Sequence, residues 1–251
     1  MKIRFLGAHN TETSGSGLLC LLLDESVALD AGCLTSKLSL KQQLALKAVL
    51  FTHGHYDHIR DLPMLAMNCF LNEGVVHAYG SQAVKDALAE HILNGQIYSR
   101  FFERPVLDFH TIEPYRTFII DRYEVTPVPV NHSVPSTGYQ VKSAGRSFFY
   151  TGDTGPGLSE CWSRISPDLL IIEVTASNRF SEFGRESKHL TPELLKEELI
   201  SFREIRGYLP KVITVHMNPS LEADISGELK EVARALGCDI SLAREGLEIK
   251  V

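Results

Sequence analysis

Short apolar runs alternate with segments whose apolar residues recur every three or four positions, along nearly the whole chain. Runs of four to eight apolar residues read as strands, and the periodic segments read as helices. On that basis strands are expected at Ile3–Leu6, Leu18–Leu23, Val27–Asp30, Ala48–Phe51, Val75–Tyr79, Phe118–Val130, Gly138–Val141, Ser147–Thr151, Asp168–Val174, Lys211–Val215 and Leu247–Val251. Helices are expected at Leu38–Leu46 and Leu62–Leu71, and from a Ser81 cap to about Leu93, with Val84, Leu88 and Ile92 on one face. Two more are expected from Thr191-Pro192-Glu193-Leu194 to about Glu204, and over Ser226–Leu236 with Gly237 as the stop. The segment Asn94–Pro114 has weak periodicity and carries Tyr98, Phe101, Phe102 and Phe109. Its structure is not readable from pattern.

Strands and helices alternate in both halves, which implies sheets covered by helices. No linker, low-complexity tract or short-period repeat divides residues 1–251, so one domain is expected. The hydrophobic fraction of 44% is ample for a large core. Lys+Arg 25 against Asp+Glu 31 gives a net charge of −6, without the basic surplus of a broad nucleic-acid footprint. No apolar run approaches a membrane span. The opening Met1–Gly7 reads as a strand and not a signal peptide. Cys20, Cys33, Cys69, Cys161 and Cys238 are odd in number, scattered and without CxxC spacing, as expected of free thiols in a reducing compartment such as the cytoplasm.

The chemistry concentrates in Thr52-His53-Gly54-His55-Tyr56-Asp57-His58, directly after an apolar strand. His53 and His55 are two apart and leave the same face of an extended segment, while Asp57 and His58 lie beyond the strand end. One ion needs about four ligands, and so tight a cluster cannot wrap all of these around a single ion. Two adjacent metals, completed from elsewhere, are therefore expected. Four further segments put a ligand-type residue just after an apolar strand: Val130-Asn131-His132, Thr151-Gly152-Asp153, Ile172-Glu173 and Val215-His216. Each alone reads as a loop or turn residue. Together, with their strand ends aligned on one edge, they would share one cleft with the histidine motif.

In this motif and the order of the later residues, the chain resembles the metallo-β-lactamase-fold hydrolases, over nearly its whole length. The resemblance implies an αββα four-layer sandwich. It also implies a ligand set in which His53, His55 and His132 hold one divalent ion and Asp57, His58 and His216 another, with Asp153 bridging. Mixed imidazole and carboxylate donors suit Zn²⁺, Mn²⁺ or Fe²⁺. Asp30, in an Asp-Ala-Gly turn, often orients a ligand histidine in such proteins. Asp61 departs from the family pattern, which often has Gly shortly after the motif.

A second resemblance narrows the branch. Glu173 followed by Lys188-His189-Leu190-Thr191-Pro192 is similar to the pair carried by the phosphodiesterase branch, which holds ribonuclease Z and the class II cyclic-nucleotide phosphodiesterases. It implies that Glu173 orients His189 and that His189 protonates the leaving oxygen, with Asp57 counted among the catalytic residues as well as the ligands. The segments Ala89–Tyr98 and Gly152–Pro156 are closer to the cyclic-nucleotide class. The expected substrate is thus a small phosphodiester, first a 3′,5′-cyclic nucleotide. Nucleic acid is less expected, because no Gly- and Lys-rich insertion offers a tRNA-gripping arm. A homodimer is implied by resemblance only. A ribonuclease Z-like enzyme, a hydrolase of another small ester and a non-catalytic binding protein remain as alternatives. Tyr98, Phe101 and Phe102 are candidates for base stacking or for a small apolar cluster; Ser133, Ser136 and Thr137 for phosphate contacts or turn roles. His9, His77, His91 and His110 have no supporting pattern and read as structural.

Overall fold

Fourteen strands build two mixed sheets in the computed structural model, which describes residues 1–251. The first sheet contains β1 (Lys2–Gly7), β2 (Cys20–Leu23), β3 (Val27–Leu29), β4 (Ala48–Leu50), β5 (Val76–Gly80) and β6 (Leu107–Thr111). The second contains β7 (Phe118–Ile120), β8 (Tyr123–Val130), β9 (Ser136–Ser143), β10 (Arg146–Tyr150), β11 (Leu169–Glu173), β12 (Lys211–Val215) and β13 (Ile240–Leu242). The last strand, β14 (Glu248–Lys250), returns to the first sheet. The orders are β14-β1-β2-β3-β4-β5-β6 and β13-β12-β11-β10-β9-β8-β7. Each sheet is antiparallel on one side and parallel on the other: β3 to β6 run together in the first, and β10 to β13 in the second.

Side-chain alternation explains the layers. Leu21, Leu23, Val27, Leu29, Ala48 and Leu50 pack in the same core as Tyr139, Val141 and Phe148 of the second sheet. Their neighbours Cys20, Leu22, Ala28, Val49 and Phe51 pack with Leu62, Leu65, Ala66 and Val84 from helices outside the first sheet. On the second sheet the helices Ser159–Arg164, Pro192–Arg206 and Glu222–Leu236 bury Trp162, Leu195, Leu199, Phe202, Ile225 and Leu229. The result is helices, two sheets and helices, as the αββα expectation required.

Several expected elements differ in detail. The segment expected as one strand, Phe118–Val130, is a hairpin: Asp121 takes a left-handed φ of 54°, which turns the chain between β7 and β8. The expected helix Leu38–Leu46 is shortened to Leu40–Leu44, which Ser39 caps through Gln42, and a separate short helix, Leu34–Lys37, precedes it. The helix after Ser81 widens at Leu88–Ile92 into a π turn. The segment without readable periodicity contains the edge strand β6, and Phe101 is buried against Phe70 and Tyr98. Phe102 packs near Phe109. These aromatics form an apolar cluster.

Glu198, buried on the helix Pro192–Arg206, ties that helix to the start of its neighbour. Its carboxylate accepts from Gly157 N at 2.6 Å, Leu158 N at 3.2 Å and Trp162 Nε1 at 2.9 Å. Removing it orphans three donors in a dry setting, each costing about 1–3 kcal/mol. Glu198→Ala should therefore lower the urea-unfolding free energy by about 3 kcal/mol, with Glu198→Gln less damaging. A loss under about 1 kcal/mol would mean that water replaces the carboxylate.

Candidate metal centre

The strand ends deliver the polar residues to one edge of the sandwich. Asp30 follows β3, the histidine motif follows β4, His132 follows β8, Asp153 follows β10, Glu173 ends β11 and His216 follows β12. β8 and β10 run in the same direction, since both pair antiparallel with β9. The two sheets are locked together at this edge: Tyr139 OH donates to Phe51 O at 2.6 Å, and Thr137 N to Thr52 O at 3.0 Å.

Asp153, 1% exposed, stands at the middle. Its Oδ2 faces His53 Nε2 at 3.7 Å and His132 Nε2 at 3.9 Å. Its Oδ1 faces His58 Nε2 at 3.2 Å and His216 Nε2 at 3.3 Å. His55 Nδ1 lies 3.2 Å from His132 Nε2, and Asp57 Oδ2 lies 3.1 Å from His216 Nε2 and 3.5 Å from His58 Nε2. The residues thus fall into two donor sets, His53, His55, His132 and Asp153, and Asp57, His58, Asp153 and His216. Burial alone would raise the Asp153 pKa, but His216 and His58 hold it well below the usual carboxylate range.

Whether these residues suit cations is decided by where the imidazole protons go. Four rings engage Nδ1 away from the centre. His58 Nδ1 bonds Asp30 Oδ2 at 2.8 Å, and His132 Nδ1 bonds Lys188 O at 3.1 Å. His53 Nδ1 meets Thr52 Oγ1 at 3.0 Å, and His216 Nδ1 meets Thr175 Oγ1 at 2.9 Å. Both threonine hydroxyls donate onward to carboxylates, to Asp30 and to Glu173, and so accept from the rings. In its neutral form, the one that ligates metal, each ring presents an Nε2 lone pair inward. His53 Nε2, His58 Nε2 and Asp153 Oδ1 are buried without a hydrogen-bond partner. Inward lone pairs with no donor to meet them are what divalent cations satisfy. The donor set fits a metal pair.

Backbone conformation serves the same end. Asp30 and His216 hold left-handed φ values of 57° and 65°, uncommon for residues with a Cβ. His216 N is anchored to Ala8 O at 2.6 Å. Gly152 has φ 62°, and a Cβ there would stand 2.6 Å from the Thr52 side chain. Asp30 is fully buried and accepts from Thr52 N at 2.8 Å, His58 and Tyr150 OH at 2.6 Å. Asp30→Ala should weaken metal binding by roughly 10–100-fold, and should cost about 3–5 kcal/mol of stability because buried partners are stranded. Competitive chelation and urea titration measure the two effects; wild-type values in both would remove Asp30 from the support of the centre. Asp61, the departure from the family pattern, is occupied structurally: Oδ2 accepts from Thr35 N at 2.7 Å and Oδ1 from Arg60 Nε at 3.0 Å.

His189 stands beside this cluster. Its ring centroid is 5.0 Å from that of His132 and 5.6 Å from that of His216. Its Nδ1 bonds Glu173 Oε1 at 2.7 Å. Glu173, fully buried, is held by Thr154 N at 2.9 Å, Leu190 N at 3.2 Å and the Thr175 hydroxyl at 2.6 Å. Burial lowers the His189 pKa, but Glu173 overrides it, with Asp153 and Asp57 adding, and the ring is raised to about 9. Pattern reading overlooked Thr52, Thr175 and Lys188, which set the ring protons; adjacency to His53, Glu173 and His189 was the available signal. Ser136 and Thr137 are buried in β9, and Ser133 Oγ lies 3.4 Å from His132 Nε2.

Residues 28–217 match the model of the β-lactamase superfamily domain. The chain belongs to that superfamily. A ribonuclease Z of Methanocaldococcus jannaschii is 24% identical over 200 residues, which cover 78% of this chain and 56% of that protein. The chain spans about half the length of the curated relatives it matches. Among solved structures, unliganded yeast PDE1 superposes with a TM-score of 0.85 at 18% identity, covering 100% of this chain and 99% of that one. The short form of human tRNase Z gives 0.71 at 18% identity, with coverage of 100% and 99%. The chain thus combines the fold of that superfamily with two adjoining groups of residues that could hold metal ions.

Proposed function

We propose that the protein is a dinuclear-metal phosphodiesterase whose first substrate class is the 3′,5′-cyclic nucleotides. The observation that carries this reading is the Glu173–His189 pair, held at 2.7 Å against the two donor sets. A bound pair of divalent cations supplies a water-derived nucleophile at neutral pH and neutralises phosphoryl oxygens. His53, His55, His132 and Asp153 would hold one cation, and Asp57, His58, Asp153 and His216 the other, as zinc, manganese or iron.

The rest of the chemistry belongs to the chain. Opening a cyclic diester expels a sugar alkoxide, a poor leaving group that needs a proton as the P–O bond breaks. Glu173 occupies His189 Nδ1, which leaves Nε2–H as the donor. Glu173 also fixes the ring angle, because its own oxygens are held by two backbone amides and Thr175. Carbonyl esters with alkoxide leaving groups would use the same proton, so it is the likeness of this pair to the one in the phosphodiesterase branch that favours phosphodiesters.

A ribonuclease Z-like reading stands second, favoured by the curated relatives of that name. Weighing against it, two cations beside the site residues are engaged. Arg60, two residues after His58, is paired with Glu12 and Asp61, and Lys188, which precedes His189, donates Nζ to His132 O at 3.0 Å. Neither is free to track a phosphate backbone. Cyclic AMP, cyclic GMP, bis(p-nitrophenyl) phosphate and a precursor tRNA, each assayed with Mn²⁺ and with Zn²⁺, separate the readings. Cyclic-nucleotide turnover well above tRNA cleavage is expected. The reverse order would transfer the assignment to RNA, and no turnover of any diester would overturn both.

A further inference from the structure

We propose that His77, Asp108 and His110 form a separate surface site that takes one divalent transition cation of the Zn²⁺, Ni²⁺ or Cu²⁺ class. β5 and β6 pair in parallel, with His77 opposite Asp108 and Tyr79 opposite His110. The two-residue period of a strand puts these four side chains on one face. The other face carries Val76, Ala78 and Leu107, packed with the helices outside the sheet. Asp108 Oδ2 is 3.2 Å from His77 Nδ1 and 3.0 Å from His110 Nε2, and all three donor atoms lie within 4.8 Å of one another. A tetrahedral ion with bonds of about 2.0–2.1 Å sets its ligand atoms about 3.3–3.4 Å apart. Both carboxylate–imidazole separations are within a few tenths of an ångström of that spacing.

Three features separate this cluster from an ordinary surface ion pair. The His110 ring is held: it stacks on Tyr79 at 4.5 Å and 21°, and Tyr79 stacks on Phe118 at 5.2 Å and 2°. The donors stand on two hydrogen-bonded strands, so little backbone freedom is lost on binding. The side chains are 42–50% exposed, which lets an ion enter and lets water complete its shell. Two imidazoles and one carboxylate favour Zn²⁺, Ni²⁺ or Cu²⁺ over Mg²⁺ or Ca²⁺. The site shares no residue with the central cluster. His77 lies near the start of β5, whereas the central ligands follow the far end of the parallel strand β4. Because β6 is the edge strand of its sheet, an ion held by both strands clamps the edge to its neighbour.

The test uses the metal-loaded protein in equilibrium dialysis against micromolar Zn²⁺, with zinc counted per chain by elemental analysis. The wild type should take up one equivalent more than either the His77→Ala/His110→Ala double variant or Asp108→Asn. Added Zn²⁺ should raise the thermal midpoint of the wild type and of neither variant. Hydrolysis of bis(p-nitrophenyl) phosphate should be the same in all three. With Cu²⁺ as probe, the additional site should show nitrogen hyperfine structure in electron paramagnetic resonance that the double variant lacks. Equal zinc uptake by all three proteins would overturn the proposal, as would an additional copper signal that survives in the double variant.

Discussion

Asp153→Ala should lose most of its bound metal and about a thousandfold or more of its phosphodiester hydrolysis. One carboxylate serves both donor sets, with Oδ2 toward His53 and His132 and Oδ1 toward His58 and His216. Removing it deprives each set of the carboxylate they share, leaving the first with imidazoles alone and the second with Asp57 as its one anion. A thousandfold is about 4 kcal/mol of barrier, which is modest for losing nucleophile generation and charge neutralisation together. Elemental analysis should show fewer than one tightly held ion per chain, and circular dichroism should confirm that the fold persists. Asp153→Asn keeps the volume and removes the charge, so it should follow the alanine variant. Unchanged stoichiometry in either would remove Asp153 from the bridging position.

The second large effect divides by substrate. His189→Ala should keep its metal and lose roughly 10²–10⁴ in turnover of a cyclic nucleotide. On bis(p-nitrophenyl) phosphate it should lose only a few-fold, because nitrophenolate departs without a proton. Glu173→Gln should show the same division with a smaller loss, since the amide still bonds the ring but no longer favours its charged form. Equal losses on both substrates would mean that His189 positions the substrate or supports the centre through its neighbours His132 and His216. Metal content separates these outcomes from simple damage to the centre.

Both effects arise where local pattern and long-range assembly meet. The strands β4, β11 and β12 are continuous apolar runs, and the positions after them were readable as places where polar residues leave the core. The helix Pro192–Arg206 announced itself through Thr191 and Pro192, and its cap fixes the direction in which the chain passes His189. Asn94–Pro114 was opaque because β6 is short and half-exposed, so its burial pattern carries little period. The helix Ser181–Ser187 was missed for a related reason: it buries only Gly184, and weak amphipathicity leaves no stripe to read. His77 and His110 had no pattern of their own, since Asp108 comes between them only through strand pairing.

The sequence by itself determined the alternating elements, the free-thiol cysteines, the absence of a basic surplus and the residue types of the central cluster. Those properties depend on local periodicity and side-chain chemistry, which need no partner to be defined. Only the tertiary structure decided that Asp153 turns one oxygen to each donor set, that Asp30 and Thr175 fix the imidazole protons, and that Glu173 reaches His189. These contacts join residues as far apart in the chain as Asp57 and His216, whose atoms meet at 3.1 Å. Their geometry is set by sheet register and by left-handed backbone at Asp30 and His216, which are properties of the assembled sandwich and of no single segment.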